Sequence, residues 1–276
     1  MLPNVSPFAH AHRHFSCPLC KELLNLQEKS LICPNRHCFD ISKFGYVNLA
    51  PHIKQSKTYD KENFQQRQLV LEAGYYQHIL QVLNDLLGKQ TEHEHILDVG
   101  CGEGYYTRHL QQAFPTKTFY AFDLSKHSVQ LGAKSDKEKA IRWFVADLAK
   151  LPLQENSMDM LLDIFSPAHY QEFKRVLAPN GKLIKVIPTK EHLKEIRQKV
   201  GKTDYNNQDI IEHFREYFEI ESTISATATY PLTEDSKVAL LAMTPLLFHI
   251  DKTSMDWSDL TEITISSQIL IGRQKG

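Results

Sequence analysis

Leu97-Asp98-Val99-Gly100-Cys101-Gly102-Glu103-Gly104 is the stretch whose reading decides the fold. An apolar run carrying one carboxylate opens into three alternate glycines, and residues 105–114 then turn helical. Glycine lets the chain turn sharply from strand to helix and lets a ligand approach the backbone. A glycine turn alone does not choose the ligand, because nicotinamide and flavin enzymes use the same device. Outward from the turn, strand and helix signals alternate. Residues 95–99, 118–122, 141–146, 158–165 and 182–187 read as strands, with helical segments at 105–114, 126 onward and 170–177. Upstream, a helical pattern from Phe64 breaks at Gly74 and resumes over 75–87. Downstream, 218–230 and 263–272 are β-rich with a helix between, which suits an antiparallel pair closing one sheet edge. The expected class is α/β, with a mostly parallel, seven-stranded, Rossmann-like sheet.

Three features narrow the ligand. The pattern is acidic-x-Gly-x-Gly-x-Gly, and Asp98 lies where a pyrophosphate would want N–H donors and no carboxylate. Asp98 can orient the turn or accept a hydrogen bond from an amino group. Asp123 ends the second strand, where a carboxylate suits a ribose diol, a device shared with NAD enzymes. Asp147, in Val145-Ala146-Asp147-Leu148, ends the third strand beside the expected place of an adenine. With Val176-Leu177-Ala178-Pro179-Asn180-Gly181-Lys182-Leu183, these features make residues 90–190 resemble the class I, Rossmann-like methyltransferases. The resemblance implies S-adenosylmethionine at the turn of Gly100, Gly102 and Gly104. The alternatives are a dehydrogenase-type domain and a glycine turn without a ligand.

Four of the five cysteines crowd one segment: Cys17, Cys20, Cys33 and Cys38, with Cys101 apart. In a cytosolic chain such a cluster reads as metal binding rather than disulfides. The spacing Cys-x2-Cys-x12-Cys-x3-His joins Cys17, Cys20, Cys33 and His37, which suits a closed, structural zinc site. Cys38 would also fit, and neighbouring residues do not usually reach one ion together, so one of His37 and Cys38 is free. A module this small has little core, so the metal supplies much of its folding energy.

The chain has 276 residues, 42% hydrophobic and 24% charged, enough for one full domain and a small one. The first residues hold no apolar core of the signal-peptide kind, and the apolar stretch 238–250 is short and broken by Pro245. The expectation is a cytoplasmic protein without a membrane span. A net charge of -1 excludes a polycation, so any nucleic-acid surface must be local. Residues 1–62 carry 8 Lys/Arg against 5 Asp/Glu, a formal +3, which leaves -4 for the remainder. The expected organisation is a flexible tail over 1–15, bearing His10, His12 and His14, and then the zinc module over 16–50. A basic linker over 51–63 and a methyltransferase domain over 64–276 follow. Lys54, Lys57 and Lys61 belong either to a solvated connector or to an arm that faces a polyanion.

Phe15-Ser16-Cys17-Pro18-Leu19-Cys20, Ile32-Cys33-Pro34-Asn35-Arg36-His37, Phe39-Asp40 and Gly45-Tyr46-Val47-Asn48-Leu49 together resemble the RlmA-type 23S rRNA (guanine-N1)-methyltransferases. The likeness continues through Ala73-Gly74-Tyr75-Tyr76, residues 100–107 and Phe165-Ser166-Pro167, the last closer to the Gram-positive, TlrB-like subgroup. It implies methyl transfer to one guanine in the hairpin 35 loop of 23S rRNA, near the macrolide-binding exit tunnel, at position 748 in preference to 745. It further implies that Tyr76, Tyr106, Thr107, His192 and Leu193 help hold the cofactor, and that His37 rather than Cys38 is the fourth zinc ligand. Guanine N1 lies on the pairing edge, so the base must be unpaired or flipped. Asp163, Phe165, Ser166 and Pro167 end the fourth strand, where related enzymes place a target base. There Phe165 could stack, Ser166 could take part in the chemistry, and Asp163 is either a proton acceptor or a structural strand-end residue. Two rival functions stay open: a zinc-ribbon RNA-binding protein with an inactive methyltransferase fold, and a small-molecule methyltransferase.

Overall fold

The computed structural model describes residues 6–53, 61–90, 92 and 94–275. Three short strands come first, β1 (Asn25–Gln27), β2 (Ser30–Ile32) and β3 (Cys38–Asp40), paired antiparallel in that order. β4 (Tyr46–Asn48) follows them. Helices α1 (Lys61–Glu72) and α2 (Gln77–Gly88) meet at Gly74, whose φ of 91° forbids helical continuation. Alternation then runs through β5 (His95–Val99), α3 (Tyr105–Ala113), β6 (Thr118–Asp123), α4 (Lys126–Ser135) and β7 (Arg142–Val145). It continues as β8 (Met158–Ile164), α5 (Tyr170–Val176) and β9 (Leu177–Pro188). Helices α6 (Lys194–Lys199) and α7 (Gln208–Tyr217) precede β10 (Phe218–Pro231), α8 (Glu234–Met243) and β11 (Glu262–Gln274). Among the described residues no helix is long and apolar enough to cross a membrane.

The main sheet has the order β10-β11-β9-β8-β5-β6-β7-β4. Every pair from β9 to β4 is parallel, and β11 and β10 close the other edge antiparallel, as their β-rich sequence predicts. The central strands are buried on both faces, and successive residues feed opposite cores. Ile96, Met160, Leu162 and Ile184 face one core with the apolar stripe Ile79, Leu80, Leu83 and Leu87 of α2. Leu97, Tyr120, Phe144 and Leu161 face the other. The switch from β6 to β8 on either side of β5 opens a crevice at the carboxyl ends of these strands, the usual ligand position in such sheets.

Two features depart from the sequence expectation. The sheet has an eighth strand, β4, supplied by the cysteine-rich segment: Tyr46, Val47 and Asn48 pair with Trp143, Phe144 and Val145. The cysteine-rich segment and the main domain therefore share one ladder, while most of the expected linker, residues 54–60, lies outside the described residues. The second departure is the leader. A flexible tail was expected over 1–15, yet residues 6–15 are packed, with Phe8 and Phe15 fully buried and Ala11 nearly so. Phe15 meets Phe144 edge-on at 5.2 Å between ring centroids and Tyr120 at 5.8 Å. The Phe15–Leu153 bridge and the bond from Gln154 N–H to His14 O (2.9 Å) tie its backbone down. The physical reason lies in the β7–β8 crossover, which contains only the short turn Leu148–Lys150 where a helix would normally cover the sheet. Phe8, Ala11 and Phe15 occupy that uncovered face.

Replacing Phe15 with Ala removes a fully buried ring from the second core. We expect about 3–5 kcal/mol of destabilisation for a large-to-small change of this kind, measured by urea unfolding. A change below about 1 kcal/mol would mean that the leader detaches in solution.

Candidate active site and metal centre

Two tight turns build the metal centre. Lys21 N–H donates to Cys17 O (2.9 Å) and Arg36 N–H to Cys33 O (2.9 Å), and both Lys21 and Arg36 sit at positive φ, 67° and 63°. Left-handed backbone is unfavourable for such residues, so this conformation needs support from outside the turns. The turns bring Cys17, Cys20, Cys33 and His37 together, with one donor atom from each within 4.8 Å of the rest. His37 Nδ1 lies 3.4 Å from both Cys17 Sγ and Cys33 Sγ, and Cys20 Sγ lies 3.6 Å from Cys33 Sγ. A zinc tetrahedron with bonds of about 2.0–2.3 Å has edges of roughly 3.3–3.8 Å, so the donor set fits zinc. Cys38 is not in the group: it starts β3, is exposed, and its Sγ lies 3.8 Å from Asp40 Oδ1.

The second site is a cleft of about 350 Å³ at the carboxyl ends of β5, β6, β7 and β8. Gly100, Gly102, Asp123, Asp147, Phe165 and Ser166 line it. Gly102 N–H donates to Asp123 Oδ2 (3.0 Å) and Ser125 N–H to Asp123 Oδ1 (2.7 Å). Burial pushes the Asp123 carboxyl up, and these two donors together with the Arg67 charge oppose it. The carboxylate is thus held edge-on to the turn with spare acceptor capacity on both oxygens. Asp147 Oδ1 accepts from Ala149 N–H (2.9 Å), which fixes its rotamer at the mouth of the third strand.

Other residues singled out in the sequence stand behind this lining. Asp98 is buried, accepts a hydrogen bond from the Thr107 hydroxyl, and has its carboxyl pushed up to about 7 by burial. Asp98 and Thr107 therefore clamp the strand to the start of α3. Gly104 is required for space, since a Cβ there would fall 2.2 Å from Trp143. Tyr76, Phe165 and His192 form one aromatic group, with Phe165 centred 6.0 Å from Tyr76 and 5.4 Å from His192. Burial lowers the His192 imidazole to about 4, so it is neutral near pH 7, and its Nδ1 accepts from Ser266 N–H (3.3 Å). Tyr106 is buried with its hydroxyl unpaired among the described residues. Leu193 is buried at the start of α6 with φ 55°.

The fourth-strand residues divide. Phe165 holds a left-handed φ of 54°, a costly conformation for an aromatic residue and one that clusters at functional sites. Ser166 lines the cleft, its Oγ 2.6 Å from Asp163 Oδ1 and 2.7 Å from Val99 O. Asp163 does not line the cleft. It has no exposure, Ser166 engages one oxygen, and Lys185 Nζ engages the other at 2.6 Å. The structural alternative for Asp163 is the one this geometry matches: fully buried and outside the cleft lining, it anchors the turn from beneath through Ser166 and Lys185. Lys54 and Lys57 lie outside the described residues, while Lys61 is exposed at the start of α1, two and three residues before the cleft-lining Asn63 and Phe64.

Comparison with known proteins agrees with both halves. Residues 15–57 match the family model for the RlmA N-terminal zinc ribbon, and residues 96–181 match a methyltransferase domain. A Bacillus subtilis protein named as a 23S rRNA (guanine-N1)-methyltransferase is 34% identical, over 94% of this chain and 96% of its own. The chain belongs to the RlmA-type 23S rRNA (guanine-N1)-methyltransferase family. The Streptomyces fradiae 23S rRNA (guanine(748)-N1)-methyltransferase is 25% identical, over 95% of this chain and 97% of its own. A solved chain from the complex of the Haloferax volcanii Trm112 methyltransferase activator has a TM-score of 0.52 at 16% identity. It covers 79% of this chain and 99% of that one, and supports the fold. As an RlmA-type enzyme the protein uses S-adenosylmethionine and carries zinc in its ribbon, and the donor set and the cleft fit those two groups.

Sequence reasoning missed Arg67 and Glu103, which meet across the glycine turn of this RlmA-type chain at 3.1 Å. Glu103 was visible only as a letter of the turn, and no local pattern marks Arg67. It missed as well Met243 and Pro245, which reach the cleft from the end of α8.

The donor geometry gives a direct expectation for the ribbon. His37→Ala should lower zinc content per chain to near zero, whereas Cys38→Ser should keep one zinc, both measured by elemental analysis of protein purified without chelator. Retention of zinc in His37→Ala with loss in Cys38→Ser would assign the fourth ligand to Cys38.

Proposed function

We propose that this chain methylates N1 of a guanine in 23S rRNA and that its target is guanine 748 in the hairpin 35 loop. The observation that carries the reading is the joint occurrence of a zinc ribbon and an intact cofactor cleft on one sheet, in a chain similar to the Streptomyces fradiae enzyme over nearly its whole length. A ribosomal substrate puts this work in the cytoplasm.

In this reading the cofactor supplies an activated methyl group, and the chain's own residues supply alignment. Asp123 takes the ribose diol and Asp147 faces the adenine, with Gly100 and Gly102 giving close backbone approach. Tyr76 and His192 back Phe165, which offers a ring to the flipped base. The Asp163–Lys185 pair keeps Ser166 and the Phe165–Pro167 turn rigid, so proton removal from N1 falls to a group other than Asp163. The neutral His192 and the buried Tyr106 keep that wall of the cleft low in charge.

The positive excess of the first 62 residues, with Lys61 exposed at the foot of α1, supports phosphate contacts by Lys54, Lys57 and Lys61. Folded RNA is held by its backbone and read at splayed loop bases, and the ribbon beside the cleft enlarges the surface available for that.

The test is methylation of a transcript carrying hairpin 35 with labelled cofactor, mapped by primer-extension arrest at N1-methylguanine. We expect arrest at position 748, lost when that guanine alone is replaced and kept when position 745 is replaced. Arrest at 745, or label entering a metabolite pool and not RNA, would overturn the assignment, and RNA binding without any transfer would favour an inactive binding module. A Lys54→Ala, Lys57→Ala, Lys61→Ala triple variant should weaken RNA binding and reduce the salt slope by about 2, since each lost phosphate contact removes roughly 0.7–0.9 of slope. An unchanged slope would remove these lysines from the interface.

A further inference from the structure

The glycine turn is surrounded by carboxylates. Asp98, Glu103 and Asp123 all act on one another there, and all three are buried enough to have their carboxyls pushed up. Glu103 is wholly buried, and neither of its oxygens has a hydrogen-bond partner among the described residues. A buried carboxylate left so is costly unless a charge stands beside it. That charge is Arg67 of α1, whose Nε lies 3.1 Å from Glu103 Oε2 in an ion pair that lacks hydrogen-bond geometry. Arg67 crosses above the turn: a Cβ on Gly102 would be 3.6 Å from its Nε. Its side chain is one-third exposed, at 32%, and that exposed part lines the cleft. Among the described residues lining the cleft, Arg67 is the only Lys or Arg.

This charge pattern has a chemical complement. S-adenosylmethionine carries two cationic groups, sulfonium and ammonium, and a single anionic one, the α-carboxylate. The cleft-lining carboxylates Asp123 and Asp147 favour the cations and repel the carboxylate, so the carboxylate needs one local cation, and guanidinium matches a carboxylate with two parallel donors. We infer that Arg67 receives the α-carboxylate of the cofactor's amino-acid end, and that Glu103 is a positioning residue that holds the guanidinium over the glycine turn. Asp123 and Asp147 lie along the strand ends to one side of Gly102, and Arg67 is carried by α1 above it, so adenosine and amino acid are gripped by different elements. The inference rests on the cofactor reading above and adds to it a residue that no glycine-turn pattern contains.

The experiment compares two ligands that differ in the amino-acid end alone. S-adenosylhomocysteine has the carboxylate; 5′-methylthioadenosine keeps the adenosine and the sulfur and lacks the amino acid. Dissociation constants for both are measured by calorimetry on the zinc-loaded protein and its Arg67→Ala, Arg67→Lys and Glu103→Gln variants. We expect Arg67→Ala to weaken S-adenosylhomocysteine by about tenfold to a hundredfold, the range of a charge-assisted hydrogen-bonded pair, and to leave 5′-methylthioadenosine within about twofold. Arg67→Lys keeps the charge and loses the fork, so it should fall between. Glu103→Gln should lower the preference for S-adenosylhomocysteine without changing 5′-methylthioadenosine. Equal losses for the two ligands would mean that Arg67 only supports the turn, and an unchanged S-adenosylhomocysteine affinity would remove Arg67 from the site; either overturns the inference. Failure of the unmodified protein to bind either ligand would overturn the cofactor reading itself.

Discussion

The Trp143 indole fills the space that side chains at Gly104 and Gly132 would need, with a Cβ at either position falling within 3 Å of its ring. The rest of the arrangement depends on that fit. Trp143 is fully buried on β7, its Nε1 donates to Asp136 Oδ2 at 3.0 Å, and its backbone pairs with Tyr46 of β4. One residue, by its indole and its backbone, therefore joins the last glycine of the turn to the strand that the cysteine-rich segment contributes. Interiors pack near crystal density, so a displacement of either partner is felt by the other.

The same economy governs the opposite face. The β7–β8 crossover has no helix long enough to cover the sheet, and the leader closes the gap with Phe8, Ala11 and Phe15. Lys21, beside the zinc turns, is near enough to help lower the carboxyl of Glu172 in the first turn of α5, a side chain held chiefly by Arg175 in the last turn. The ribbon thus stands on the scaffold that carries the cleft. If the module holds RNA, its position relative to the cofactor is set by covalent and ladder geometry rather than by a flexible tether, and alignment of a base with a methyl group tolerates little error.

Much of this was legible in the sequence because it is local. The glycine turn, the carboxylates ending β6 and β7, the helix break at Gly74 and the Cys-x2-Cys spacing each declare themselves within a few residues. The choice between His37 and Cys38 was not local: it turns on β3 directing Cys38 outward, which spacing does not encode. β4 was readable as a β-like piece, but its partner lies about a hundred residues away and is parallel, so no hairpin signal joins them. In the leader, the alternating His10, His12 and His14 have the pattern of a solvated tract, while Phe8, Ala11 and Phe15, spaced three and then four apart, carry the helical signal of a packed segment. Asp163 showed as a strand-end acid, while its pairing with Lys185, on the neighbouring strand, exists only through tertiary contact.

The central claim is that ribbon and cofactor domain form one packed unit through β4, Trp143 and the glycine turn. Hydrogen exchange measured peptide by peptide, before and after zinc removal by a chelator, tests it most directly. The account predicts that zinc loss raises exchange in residues 16–44 and also in β4, in β7 and in the turn at 100–104, because the ladder and the Trp143 contact connect them. Faster exchange confined to residues 16–44, with β7 and the turn unchanged, would contradict it.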